Sequence, residues 1–349
     1  MLAAALAGAQ GSAPVAAPAT PQWQRIELGA AAQRYPFAVY ANRAWTADMR
    51  GVKAAVLIFH GMGRNARGYY TAAEKLLAAS GSTDGETLLI APSYFATADA
   101  PAQPIDGLPQ WRGSRWNRGE DAVDWPWPLS SFQPIDDLLT AFLDMSRFPQ
   151  LQRIVVAGHS AGGQLVHRYA VFNRADETLR AAGKRVSYVI ANPSSYLYFT
   201  PERPAVADGH HWAPYDTALC PAYNRYRYGV ERLVRFAEGL DGAALFKRYA
   251  AREVTYLLGT ADNDPEHPQL DQSCGAKAQG RHRLERGRNY IRYERHLAGA
   301  DTTLSRRVFE VIGVGHTQSR MLGSQCGAAV LFGVALDKGS GAACRAPQW

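Results

Sequence analysis

Cysteine is scarce in this sequence, and several class signatures are missing with it. Only four cysteines occur in 349 residues, with no CxxC pair and no histidine spacing that suits a metal. A disulfide mini-protein and a zinc module are thereby excluded, and no metal or organic cofactor is expected. Past the N-terminus no run approaches the roughly 18 apolar residues that span a bilayer, so no membrane partner is expected. There is no internal repeat, and no low-complexity tract beyond the N-terminus.

What is present describes a globular chain. Hydrophobic residues make up 47% and charged residues 20%, which excludes disorder driven by low hydrophobicity and high net charge. The formal charge of +7 admits anionic partners. The basic stretch Arg281–Arg295 nevertheless interleaves Glu285 and Glu294, and places Arg281 and Glu285 at i,i+4. That is the pattern of a solvated helix face, without the aromatic interleaving of a nucleic-acid module, so no nucleic-acid partner is expected.

Residues 1–22, MLAAALAGAQGSAPVAAPATPQ, contain no charged side chain. Met1 to Ala9 reads as the tail of a signal-peptide h-region, or the segment is a disordered Ala/Pro tail. All four cysteines lie in the C-terminal 130 or so residues. In an exported protein they can form two disulfides in three ways, of which Cys220–Cys274 with Cys326–Cys344 is favoured. Both features point to a secreted or periplasmic protein.

Short apolar runs alternate with helical patterns, which predicts an α/β protein with a mostly parallel eight-stranded sheet flanked by helices. The expected strands are Gln24–Leu28, Phe37–Tyr40, Ala54–Phe59, Thr87–Ala91, Arg153–Ala157, Val186–Ala191, Val254–Leu258 and Arg307–Ile312. Ser130-x-x-Gln133 reads as a capping box for a helix carrying Ile135, Leu138, Leu139, Phe142 and Leu143, with Asp136 and Asp137 near its positive end. One domain is expected over 23–349, with aromatic-rich insertions at about 96–129 and 196–252.

Gly158-His159-Ser160-Ala161-Gly162 is a G-x-S-x-G sequence between the apolar run Ile154–Ala157 and a helical segment with Leu165, Tyr169 and Phe172 on one face. A sharp strand-to-helix turn there needs glycines and lifts the serine hydroxyl above the sheet edge. A serine hydroxyl is a weak nucleophile without a base. Of the nine histidines, His316 follows the last expected strand in a glycine-bearing loop, Gly313-Val314-Gly315-His316. His282 and His296 lie in the Arg/Glu-patterned helix, and His267 is too close in sequence to the acid. The acid that orients the base is expected at Asp262, with Asp264 second. Oxyanion donors are expected at the backbone N–H groups of Met62, in the turn His60-Gly61-Met62-Gly63, and Ala161. That turn lacks the spacing of a phosphate cradle.

The four sites HGMG, GHSAG, GTAD and GVGH, in this order, resemble those of the α/β-hydrolase superfamily, from about Gln24 to Leu336 with the insertions excluded. His60-Gly61-x-x-Arg64-Asn65-Ala66-x-x-Tyr69 is further similar to the corresponding loop of secreted polyhydroxyalkanoate-depolymerase and feruloyl-esterase types, with Arg64 where those more often carry Gln. The resemblance implies the α/β-hydrolase fold and hydrolysis of a small-molecule or polymeric carboxylic ester. A serine peptidase or amidase would use the same triad, and a non-catalytic binding protein could keep the fold alone. His60, Tyr94, His159, Trp127, Ser194 and Tyr196 are candidate substrate-binding residues. The insertion aromatics either floor such a cleft or pack the insertions onto the sheet.

Overall fold

A strand that is apolar on both faces must be covered on both, and the runs Val56–Phe59 and Ile154–Ala157 meet that requirement at the centre of a nine-stranded sheet. The structure, a computed structural model, describes residues 22–82, 85–102, 105–205, 210–336 and 343–347. The strands are β1 (Gln24–Leu28), β2 (Tyr35–Ala41), β3 (Ala54–Phe59), β4 (Thr87–Ser93), β5 (Arg153–His159), β6 (Arg185–Ala191), β7 (Glu253–Gly259), β8 (Arg306–Val311) and β9 (Cys344–Arg345). They lie in the order β1-β2-β4-β3-β5-β6-β7-β8-β9. From β4 to β8 the neighbours are parallel, while β1–β2, β2–β4 and β8–β9 pair antiparallel.

Side chains alternate across this sheet as the strand period demands. Leu57, Phe59, Ile154 and Val156 face one core with Leu138, Leu165 and Tyr169. Val56, Ile58, Val155 and Ala157 face the other with Tyr69, Ala73, Met321 and Leu331. The helices that cover the two faces include α1 (Ala66–Ala79), α2 (Gln133–Ala141), α3 (Ala161–Phe172) and α4 (Arg283–Ala298). The chain leaves β3 for β4 on one side and returns to β5 on the other. This reversal opens a crevice at the carboxyl ends of β3 and β5, the place where open α/β sheets bind ligands.

All eight expected strands are present within two residues of their expected ends. The ninth, β9, is two residues long and too short to leave a pattern. It is held by the Cys326–Cys344 disulfide and by Arg345, whose guanidinium lies 3.1 Å from Glu310. The second disulfide joins Cys220 to Cys274. The leader expected in residues 1–22 falls, but for its last residue, outside the described residues. Among the described residues no helix is long and apolar enough to cross a membrane, and no group of three His, Cys, Asp or Glu side chains could hold a metal ion.

Two local expectations are corrected, and a third gains a qualification. Ser130 does not cap α2: its buried hydroxyl donates to Gly119 O at 2.8 Å, and the helix begins later, at Gln133, with no side-chain cap. Asp136 does lie in the first turn of α2, as expected, and burial pushes its pKa up to about 6. The Arg-rich helix α4 is not a solvated face throughout, because Arg283 and Arg286 are fully buried. Arg281 and Glu285 do form the expected exposed pair, at 3.0 Å.

Removing the Cys326–Cys344 bond by double substitution to serine is expected to lower unfolding free energy by about 3 kcal/mol, the entropy of closing a loop of this size. Urea unfolding checks it, with amide exchange rising along β8; an unchanged midpoint would place β9 outside the cooperative unit.

Candidate active site

The β5-to-α3 turn brings two backbones closer than any side chain allows. A Cβ on Gly158 would stand 2.3 Å from Gly162 O, and one on Gly162 would stand 2.3 Å from Phe59 O. With both positions bare, the turn tightens until Ser160 takes φ 59° and ψ −120°, a conformation that strains a residue with a side chain. Ala161 immediately follows as the first residue of α3, whose opening N–H groups have no partner within the helix. The strain and the open helix end together present a hydroxyl beside unused donors.

Around that hydroxyl the chain assembles three distant segments. His316 Nε2 lies 2.8 Å from Ser160 Oγ, and His316 Nδ1 lies 2.7 Å from Asp262 Oδ2. A carboxylate only accepts, so Nδ1 carries the proton and Nε2 is left to accept from the serine. Asp264, the second candidate, is exposed and accepts from the Glu266 amide instead, at 2.9 Å. Burial lowers the His316 pKa, opposed by the hydrogen bond to Asp262 and assisted by the charge of Arg283. Burial alone would raise that of Asp262, but the hydrogen bond and charge of His316, with Arg283, outweigh it and hold it below the usual carboxylate value.

Arg283 is the residue that the sequence pattern concealed. Its side chain is fully buried; Nη1 lies 3.1 Å from Asp262 Oδ1, and Nε donates to Ser194 Oγ at 3.0 Å. Asp262 therefore shares its two oxygens between His316 and a permanent cation. His316 is also flanked by two rings, His159 at 4.8 Å between centroids and His267 edge-on at 5.2 Å. His159 is itself pushed well down by burial and by His316, so it adds little charge there.

The loop after β3 forms the opposite wall. His60 is buried, donates from Nδ1 to Gly61 O at 3.0 Å, and accepts the Tyr94 amide on Nε2 at 3.1 Å. Arg64, at φ 51°, grips Asp99 through two bonds of 2.6 and 2.7 Å and donates to Met62 O at 3.1 Å. These bonds fix the Gly61-Met62-Gly63 turn next to Ser160, where Met62, Gly63, His159 and His316 line a cleft of about 180 Å³. Met62 and Gln269 also line an adjoining cavity of about 300 Å³ with Ser194 in its wall. A larger surface cavity of about 420 Å³ lies by Asn42, Glu74 and Thr87 and holds none of these groups.

Of the expected substrate-binding residues, His159 and Ser194 reach these walls, and four do not. His60 and Tyr94 are scaffold: Tyr94 is wholly buried and donates to Ser131 O at 2.8 Å. Tyr196 is wholly buried and stacks on Tyr290 at 4.5 Å. Trp127 packs edge-on against Trp125 at 5.8 Å, which in turn meets Tyr35. Trp111 and Trp116 are likewise fully buried. The fully buried insertion aromatics, Trp111, Trp116, Tyr196 and Tyr198, thus seat the insertions on the sheet, because large rings gain most by leaving water.

No protein-family model matches the sequence, and no curated protein does. Among solved structures, the chain is similar to poly(aspartic acid) hydrolase-1 from Sphingomonas sp. KT-1, at 23% identity and TM-score 0.57 over 90% of this chain and 100% of that one. It is also similar to LpqC, a poly(3-hydroxybutyrate) depolymerase from Bordetella parapertussis, at 21% identity and TM-score 0.62 over 92% and 94%. Sheet order and these likenesses identify the α/β-hydrolase fold.

The charge arrangement predicts an imidazole that stays neutral to lower pH than an ordinary histidine. The His316 ring is expected to titrate below its ordinary value of 6.5, and in Arg283→Gln its midpoint moves up, because the cation opposing the imidazolium is gone. Arg283→Lys restores part of the depression. Proton NMR of the His316 ring checks this; an unchanged midpoint in Arg283→Gln would remove Arg283 from the electrostatics of the site.

Proposed function

We propose that the chain is a serine carboxylic-ester hydrolase acting through an acyl-enzyme on Ser160. The observation that carries this reading is the unbroken hydrogen-bonded series from Ser160 Oγ through His316 to Asp262, at 2.8 and 2.7 Å. Ser160 Oγ attacks the ester carbonyl while His316 Nε2 takes its proton, and Asp262 stabilises the imidazolium. The carbonyl oxygen becomes an oxyanion that the N–H groups of Met62 and Ala161 receive. A donor of this type is worth about 3 kcal/mol in the transition state. His316 then protonates the departing alcohol, water attacks the acyl-enzyme by the same route, and the acid leaves. Asp262 ionised and His316 neutral are the starting states this sequence of steps needs, and both pKa directions favour them. No step calls for a metal or an organic cofactor.

Arg283 acts here as a positioning residue, since it binds the Asp262 oxygen that His316 does not use. His159 and Ser194 serve as walls of the substrate cleft. The substrate is a small-molecule or polymeric ester, and the neighbours of this fold named above act on polymers. Two disulfides fit an oxidising compartment, so we place the protein outside the cytoplasm, secreted or periplasmic.

Ser160→Ala is expected to reduce kcat/KM toward 4-nitrophenyl acyl esters by about 10⁴-fold or more, the scale of removing a hydrolase nucleophile, with an unchanged circular-dichroism spectrum. Undiminished hydrolysis by the folded variant would refute the assignment of the nucleophile.

A further inference from the structure

The cavity that adjoins the Ser160 cleft combines apolar walls with two arginines. Met62, Pro268 and Leu270 supply apolar surface to this space of about 300 Å³, and Arg118, Arg227 and Asp271 supply its charged groups. Arg118 and Arg227 bring two guanidinium groups to one wall. Arg118 bonds Ser114 Oγ at 2.7 Å and lies 3.7 Å from Glu120, and its Nε is buried without a partner. Arg227 holds Asp271 at 2.7 Å and Tyr228 Oη at 2.9 Å.

Two more cations stand directly behind the wall. Arg168 is fully buried and bonds only neutral acceptors: Asn117 O at 2.9 Å, Gln164 Oε1 at 3.0 Å and Ser195 Oγ at 3.2 Å, with a longer contact to Asn117 Oδ1 at 3.4 Å. Arg286 bonds the carbonyl oxygens of Gly280, Ser194 and Asp271. Among the described residues neither Arg168 nor Arg286 has a carboxylate within ion-pairing distance. Burial pulls both down to about 10, and Arg118 and Arg227 press further on Arg168. Four cations therefore face Glu120 and Asp271, and Glu120 is shared with Arg115 at 3.1 Å. Uncompensated buried charge is costly, and an anion entering the cavity offsets it.

We propose that this cavity is a carboxylate subsite, so that the enzyme prefers esters carrying a free carboxylate a few bonds from the scissile carbonyl. The proposal rests on the serine-hydrolase reading for its turnover and on the arginines alone for its binding. A carboxylate can accept from a guanidinium through two parallel N–H groups, a directional match that a neutral chain end cannot make. Long-range attraction into such a pocket also weakens with salt, because exposed charges are screened beyond about 10 Å at 0.1 M.

The test compares mono-4-nitrophenyl adipate with methyl 4-nitrophenyl adipate, in which a methyl ester replaces the distal carboxylate, and 4-acetoxybenzoate with its methyl ester, which moves the charge to the leaving side. One of the two anionic esters is expected to be preferred by about tenfold in kcat/KM, the equivalent of one well-placed charged hydrogen bond. Which pair responds assigns the subsite to the acyl or the alcohol side. That preference falls toward unity in Arg118→Gln, in Arg227→Gln and on adding sodium chloride. Arg227 also braces Asp271, so Arg118→Gln guards against a variant that misfolds.

Calorimetric binding of adipate to Ser160→Ala separates the two readings. If no ester is turned over but adipate binds, and binding is lost in Ser160→Ala combined with Arg118→Gln, the subsite stands and the hydrolase reading falls. Equal kcat/KM within both ester pairs, or turnover of neither with no adipate binding, overturns the subsite.

Discussion

The tight passage from the central strand into the helix behind it constrains everything else in the site. A serine can occupy φ 59° there only because Gly158 and Gly162 lack a Cβ and let the backbones of β3, β5 and α3 close to contact. The closure places Ser160 at the reversal point of the sheet, beside the loop that carries Met62. Relaxing it would separate the hydroxyl from the imidazole of His316. The two cores on either face of β3 and β5 hold the strand ends that define the turn.

A second dependence runs through charge. Asp262 is almost fully buried, a position that disfavours a carboxylate. It is kept ionised by His316 on one oxygen and Arg283 on the other. The same arginine opposes the imidazolium of His316 and bonds Ser194 in the wall of the adjoining cavity. Asp262, His316 and the Ser194 wall thus share the influence of one buried cation. Around that cavity the arginines outnumber the carboxylates that answer them, which is the ground on which a carboxylate subsite is proposed there.

The strands were legible in the sequence because buried parallel strands are continuous apolar runs, and the central ones had few competing readings. The positions of Ser160, Asp262 and His316 were legible from their order and their places after expected strands, and the fold brings the three within hydrogen-bonding distance. Arginine burial was not legible. An i,i+3 pair such as Arg283 and Arg286 looks the same on a solvated face as on one packed against loops from β6 and β7. Aromatic content was equally silent about direction, so Tyr94 and Tyr196 resembled cleft residues until the fold turned them inward. The strand β9 exists because a disulfide pins two residues, and two residues carry no period.

The central claim is that Ser160 is the one activated nucleophile, and covalent capture tests it most directly. A fluorophosphonate forms a stable adduct only with a serine whose neighbouring base and oxyanion donors are in place. Intact-mass analysis followed by peptide mapping should find one adduct per chain, located on Ser160 and absent from His316→Gln. An adduct mapped to another serine, or a folded protein that takes up no label, would contradict the account.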